Sequence, residues 1–194
     1  MNVLVIPEDF RKDQLILKPI VQAMMRALNR ASAKVDICRD PLLGGVTEAL
    51  KWENITAVLD RHKGMVDLFL LCVDRDGLEG RRTALNSLEL KAAAVLPAGR
   101  FFLAENAWQE IEVWVLAGHE DLPQQWNWRD IRAETNPKEK YFAVYAINRG
   151  VSENHDGGRK VLAEEAAARY GRIRQLCPED VAALEKRIEA VLRH

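Results

Sequence analysis

The chain has 194 residues, 48% of them hydrophobic and 29% charged, with a net charge of −1. That is enough chain for one domain with a sizeable core, and the composition is that of an ordinary globular protein rather than a disordered or fibrous one. The near-neutral balance excludes a uniformly basic surface, so nucleic acid would need a local patch, and no run approaches the ~18 apolar residues of a membrane span. Cys38, Cys72 and Cys177 are isolated, odd in number and without zinc-ligand spacing, which fits reduced thiols in a cytoplasmic protein. The opening Met-Asn-Val-Leu-Val-Ile-Pro is too short and lacks the basic head of a signal peptide. There is no internal repeat.

Val3–Ile6 is a short apolar run stopped by Pro7 and reads as a first strand, with Glu8 and Asp9 at its carboxyl end. Leu15, Ile16, Ile20, Val21, Met24, Met25 and Leu28 recur at helical spacing, so a helix is expected over Asp13–Ala31, kinked at Pro19 or starting near Lys18. Lys34–Cys38 is a second strand, Gly44-Gly45 a loop, and Val46–His62 an amphipathic helix closed by Lys63-Gly64. Met65–Gly77 is the most informative stretch. Its apolar run, interrupted only by Asp67, reads as a strand buried on both faces and ends at Asp74 and Asp76. Arg81–Leu96 is a helix using Leu85, Leu88, Leu90, Ala93, Val95 and Leu96, broken by Pro97-Ala98-Gly99, and Arg100–Ala104 is a fourth strand. In the next segment Trp108, Ile111, Val115 and Leu116 share one helical face, with Glu112 inside it and Glu110 nearly opposite. Glu112 is either a partnered carboxylate on the buried stripe or an edge residue reaching solvent.

His119–Pro137, with Pro123, Trp126 and Trp128, is polar and reads as a long surface excursion. Lys138–Asn148 suits helix or strand. Gly157–Arg174 is helical and basic, and its Arg159, Lys160, Arg169, Arg172 and Arg174 ordinarily mean a solvated face. Cys177-Pro178-Glu179-Asp180 opens a last helix, with Val181, Leu184, Ile188, Val191 and Leu192 on its docking face. The alternation of strands and helices predicts an α/β fold: a mostly parallel central sheet of about four strands flanked by helices, with a helical C-terminal extension. Residues 1–118 form the α/β core, and 119–194 form the excursion and mainly helical extension packed on it.

In a parallel sheet, ligands sit beyond the carboxyl ends of the strands. Glu8 follows the first strand, Asp74 and Asp76 the third, and Glu110 or Glu112 the fourth, so all are expected on one edge. In an extended chain Asp74 and Asp76 would point the same way and repel unless a cation lay between them. A hard divalent ion with oxygen ligands suits such a set, and two ions roughly 4 Å apart would activate a water and stabilise the leaving oxygen of a phosphodiester. Asp-x-Asp-Gly is also ordinary turn chemistry after a strand.

These residues resemble a known group. Ile6-Pro7-Glu8-Asp9 after the first strand and Val73-Asp74-Arg75-Asp76-Gly77 after the third are similar to the TOPRIM domain of topoisomerases, primases and OLD-type nucleases. Glu110-Ile111-Glu112-Val113-Trp114 is similar to the Glu-x-Glu-x-Trp helix of small standalone TOPRIM-like proteins related to those nucleases and linked to phage defence. The segment from Gly158 to Leu184, with Lys160 and Cys177-Pro178, resembles the end of the same proteins. TOPRIM domains carry Gly after the first acid. Here Asp9 stands in its place and is itself a candidate ligand.

The resemblance implies a TOPRIM-like nuclease dependent on Mg²⁺ or Mn²⁺, acting on DNA or RNA, with an ATPase as an implied partner. Glu8 would be general base or ligand, Asp74 and Asp76 would hold metal, and Glu110 and Glu112 would complete the site. Arg81, Arg82 and Lys160 are candidate phosphate contacts. Two other readings share the pattern. One is a non-catalytic TOPRIM-like subunit that docks a partner through the Trp126/Trp128 excursion and the last helix. The other is a receiver-like phosphoacceptor, which would want a Lys at the end of a late strand.

Overall fold

The computed structural model describes residues 1–40 and 43–193. Four parallel strands, β1 (Asn2–Pro7), β2 (Lys34–Ile37), β3 (Leu68–Asp74) and β4 (Phe101–Ala107), form a sheet in the order β2-β1-β3-β4. The fold is α/β, as the alternation of strands and helices predicts. Strands β1 and β3 are central and read as continuous apolar runs because both of their faces are covered.

Side chains alternate across the sheet. Val3, Val5, Leu68, Leu70, Cys72 and Leu103 face one layer. That layer holds α1 (Phe10–Ala27), α5 (Glu112–Ala117), α7 (Ala143–Asn148), α8 (Arg159–Ala168), α9 (Tyr170–Leu176) and α10 (Ala183–Leu192). Leu4, Ile6, Phe69, Leu71, Val73 and Phe102 face the other layer, where α2 (Val46–Ala49), α3 (Trp52–His62) and α4 (Arg81–Val95) pack. The crossover from β1 to β2 runs on one face and those from β2 to β3 and β3 to β4 on the other. The switch point therefore falls between β1 and β3, where their connections diverge and a crevice opens.

Several boundaries differ from the sequence expectations, each for a local reason. Helix α1 starts at Phe10 because the Asp9 side chain caps it, accepting the Arg11 N–H at 3.0 Å, and Pro19 is accommodated inside. The expected helix over Val46–His62 divides into α2 and α3, with Leu50 and Lys51 between them. On α4 the buried stripe is Leu85, Leu88 and Ala92, while Leu90, on the opposite side at helical pitch, and Val95, the last residue of the helix, are exposed. Strand β4 runs on to Ala107, carrying Glu105 and Asn106 within the sheet.

The excursion over His119–Pro137 is more ordered than its composition suggests. It contains α6 (Trp128–Ala133), capped by Asn127. Trp126 packs edge-on against Tyr141 at 5.0 Å, and the Trp128 indole donates to the Leu176 carbonyl at 3.0 Å. Lys138–Asn148 is helical, a wide π-type turn over Lys138–Phe142 leading into α7. Asp180, 1% exposed, ties the extension to the sheet edge. It accepts the Trp108 N–H at 2.8 Å and the Trp114 indole N–H at 2.7 Å, and it pairs with Arg132 at 3.1 Å. No helix among the described residues is long and apolar enough to cross a membrane.

Candidate metal and active site at the carboxyl edge of the sheet

The strand register brings the first two acids together. Pro7 lies opposite Cys72, so Glu8, one residue further, comes level with the end of β3. Its carboxylate accepts the Asp74 backbone N–H at 3.1 Å. Asp74 has the parity of Leu70 and Cys72, so its side chain points toward the layer of α1 and α5 rather than that of α4. There its carboxylate accepts the Ile111 N–H at 2.9 Å. Burial raises Asp74 well above the usual carboxylate range, and the charges of Glu8, Glu112 and Asp13 add to the rise. Burial likewise raises Glu8, with Asp76 and Asp9 adding to the effect, while the Asp74 N–H and Arg81 oppose it.

Asp13 is the member that sequence reasoning missed. It lies in the first turn of α1, where its carboxylate accepts the Asp9 N–H at 2.9 Å. Burial, with Glu8, Glu112 and Asp9 nearby, pushes it up to about 7. An acid four residues after a helix cap reads in sequence as a complement to the helix dipole. Only the packing of α1 across the crevice places it behind Glu8 and Asp74.

Asp76 does not continue the strand. β3 ends at Asp74, and Asp76 turns into the left-handed region at φ 52°. The two aspartates are therefore not a parallel pair on an extended chain. Asp76 is half-exposed and pairs with Arg81 at 3.3 Å, yet remains close enough to raise Glu8. The loop that carries it is gripped by Gln109, another residue the sequence did not flag. Gln109 itself has φ 77°. Its carbonyl accepts the N–H groups of Arg75 and Asp76 at 2.8 and 3.3 Å, and its side-chain oxygen accepts that of Gly77 at 2.9 Å.

The two glutamates after β4 have separate fates. Glu112, 5% exposed, starts α5 and bonds to Arg159 at 2.9 Å. It is the partnered carboxylate on a buried stripe, and Arg159 is no solvated residue. Glu110 accepts the Lys138 N–H at 2.8 Å and so caps the Lys138–Phe142 turn, and burial raises it to about 7. It therefore lies to one side of the Glu8–Asp74 pair.

Among the basic candidates, Arg81 is 7% exposed and its Nε has no hydrogen-bond partner. Arg82 is fully engaged with Glu89 and Glu105, each at 2.9 Å, and with Asn86. Arg187 of α10 joins the same network, pairing with Glu105 at 3.1 Å and also with Glu89. Lys160 is exposed, its N–H bonded to Asp156, so Arg159 is the basic residue of that helix that reaches the acids.

Among the described residues, no three Asp, Glu, His or Cys side chains form a set that could hold a metal ion as they stand. Mg²⁺ needs less than that. It commonly binds through one or two carboxylates, with waters and substrate phosphate completing its octahedron. Glu8 and Asp74 supply two hard oxygen donors whose crowded charges a cation would relieve, so the donor set fits. A cleft of about 410 Å³ opens beside Glu8, with Arg11 and the Gly44-Gly45 backbone on its walls. Comparison with family models, with curated proteins and with solved structures finds no match.

Proposed function

We propose that this chain is a TOPRIM-like, Mg²⁺- or Mn²⁺-dependent phosphodiesterase acting on nucleic acid, with Glu8 and Asp74 as its working pair. One observation carries the reading: Glu8, Asp13, Asp74 and Glu112 arrive from β1, α1, β3 and α5 at the switch point of a parallel sheet, beside an open cleft. Held by Glu8 and Asp74, the ion would polarise the phosphoryl oxygen and lower the pKa of a water. Glu8, at the cleft, would either help hold the ion or take a proton from the attacking water. Asp13 stands behind the pair and adds negative charge once ionised, while Glu112 on the same side is paired with Arg159. Arg81, paired with Asp76 and lining the cleft beyond β3, would offer its guanidinium to a phosphoryl oxygen. Gln109 fixes the loop that carries Asp76.

The test is hydrolysis of bis(p-nitrophenyl) phosphate and of DNA and RNA oligonucleotides with Mg²⁺ or Mn²⁺. Wild type should turn over, and Asp74→Ala should lose at least about 100-fold, in the range of a lost catalytic electrostatic contact. Equal rates in wild type and variant would mean that the activity is a contaminant's. A second reading, a non-catalytic subunit that docks a partner ATPase, is favoured by one observation: Glu110 and Glu112 are both already engaged, with Lys138 and Arg159. Metal-induced stabilisation with no hydrolysis of any substrate would select it.

A further inference from the structure

Three clefts open along the carboxyl edge. The first, beside Glu8 and Gly44-Gly45, lies on the β1–β2 side. The second, of about 300 Å³ with Arg75 and Arg81 on its walls, lies beyond β3 and β4. The third, of about 440 Å³ with Trp128 and Arg129 on its walls, lies beyond β4. Trp108 and Glu179 form the wall shared by the second and third. Glu8 lines the first cleft and Arg75, next to Asp74, lines the second, so the Glu8–Asp74 pair lies between them.

The chemistry along this row suits a single polynucleotide strand. The Arg75 guanidinium lies over the Trp108 ring, 4.1 Å from its centroid. With Arg132 also over that ring, 5.7 Å from its centroid, the planar Arg75 guanidinium is the flat surface offered to an unpaired base. Arg82 and Arg132 are held by carboxylates, whereas Arg75 and Arg129 form no ion pair among the described residues. Arg81 adds a buried guanidinium with an unpartnered Nε. Free cations are therefore few, and Glu79 and Glu179 also border the row. A duplex, bound chiefly by counterion release from many phosphates, would find little to hold it. A single strand exposes its base faces and can gain affinity from stacking.

We propose that single-stranded nucleic acid binds along this row, stacking at Arg75–Trp108 and touching phosphate at Arg75, Arg81 and Arg129. The proposal rests on the phosphodiesterase reading for its purpose but not for its test. Fluorescently labelled 12-mers of dT and rU, and a 12-base-pair duplex, are titrated by anisotropy against the full chain in EDTA, where no metal-dependent cleavage occurs. At least one single strand should bind, at least tenfold tighter than the duplex. Its log K against log salt slope should be near −2, from about −0.7 for each of three phosphate contacts.

Arg75→Ala and Arg129→Ala should each weaken binding about fivefold or more and make the slope shallower. Trp108→Ala should weaken it about tenfold, and the arginine variants keep the test open if that one fails to fold. Binding of duplex as tight as single strand, absence of binding to both single strands, or unchanged affinity in both arginine variants would overturn the proposal. Hydrolysis of bis(p-nitrophenyl) phosphate, too small to need the row, reports the phosphodiesterase reading separately. Turnover of that diester without strand binding sinks the row alone, and strand binding without turnover sinks the hydrolysis alone.

Discussion

Asp13 and Asp74 occupy places where a negative charge is costly and a cation would relieve it. For Asp13 the consequence for stability can be signed. Folded, it keeps its proton up to about pH 7, while the unfolded chain releases it near 3.8. Between those values the folded state binds the extra proton, so its contribution to stability is full below about pH 4 and is lost as pH rises through 7. Asp13→Asn keeps an oxygen for the Asp9 N–H and removes the charge. In metal-free buffer it should match wild type near pH 3.5 and be more stable by roughly 4 kcal/mol at pH 8, which is about 8–16 °C in melting temperature for a chain of this size; an equal difference at both pH values in a thermal melt would contradict the assignment. Gln109 is a second residue with a readable cost. Gln109→Gly keeps the left-handed turn and should change stability by no more than about 1 kcal/mol in urea unfolding. Gln109→Val places a β-branched residue there and should cost about 1–2 kcal/mol more. Glu8 and Asp74 were legible in the sequence because each terminates an apolar run. Asp13 and Gln109 were not, since their roles come from contacts across the crevice that no local pattern encodes.

At the scale of elements, the site depends on how α5 and α8 meet, because that contact brings Arg159 to Glu112. Gly118, at the end of α5, lies against α8. A Cβ there would sit 2.4 Å from the Ala166 Cβ and 2.5 Å from its Cα. Gly118→Ala must push the helices apart and should destabilise by about 3 kcal/mol, the upper end for overpacking against backbone, as a denaturant midpoint would show. If Gly118→Ala is neutral, the α5–α8 approach is not as described. The four strands and most helices were legible as runs and stripes. The apolar run that marks β4 stops at Ala104, yet the strand continues to Ala107 because Arg82 and Arg187 satisfy Glu105 at the sheet's edge. The stretch around Trp126 and Trp128 looked like loose surface because its apolar residues are few and widely spaced. Each is a large ring that finds a partner in the later helices.

For the whole molecule, the sheet order decides everything that follows. Placing β1 beside β3 opens the crevice where Glu8 and Asp74, 66 residues apart in sequence, meet. The parallel α/β class was readable from the alternation of elements, and with it the expectation of a shared carboxyl edge. Which acids on that edge would meet was not readable. Side-chain parity directs Asp74 toward α1 and α5, while the left-handed turn at Asp76 sends that carboxylate to Arg81. The account stands or falls on a divalent cation at Glu8 and Asp74. A crystal soaked in millimolar Mn²⁺ near pH 7.5 should show an anomalous peak within about 2.0–2.5 Å of oxygens from both carboxylates. A peak elsewhere, or none on that edge, would contradict it.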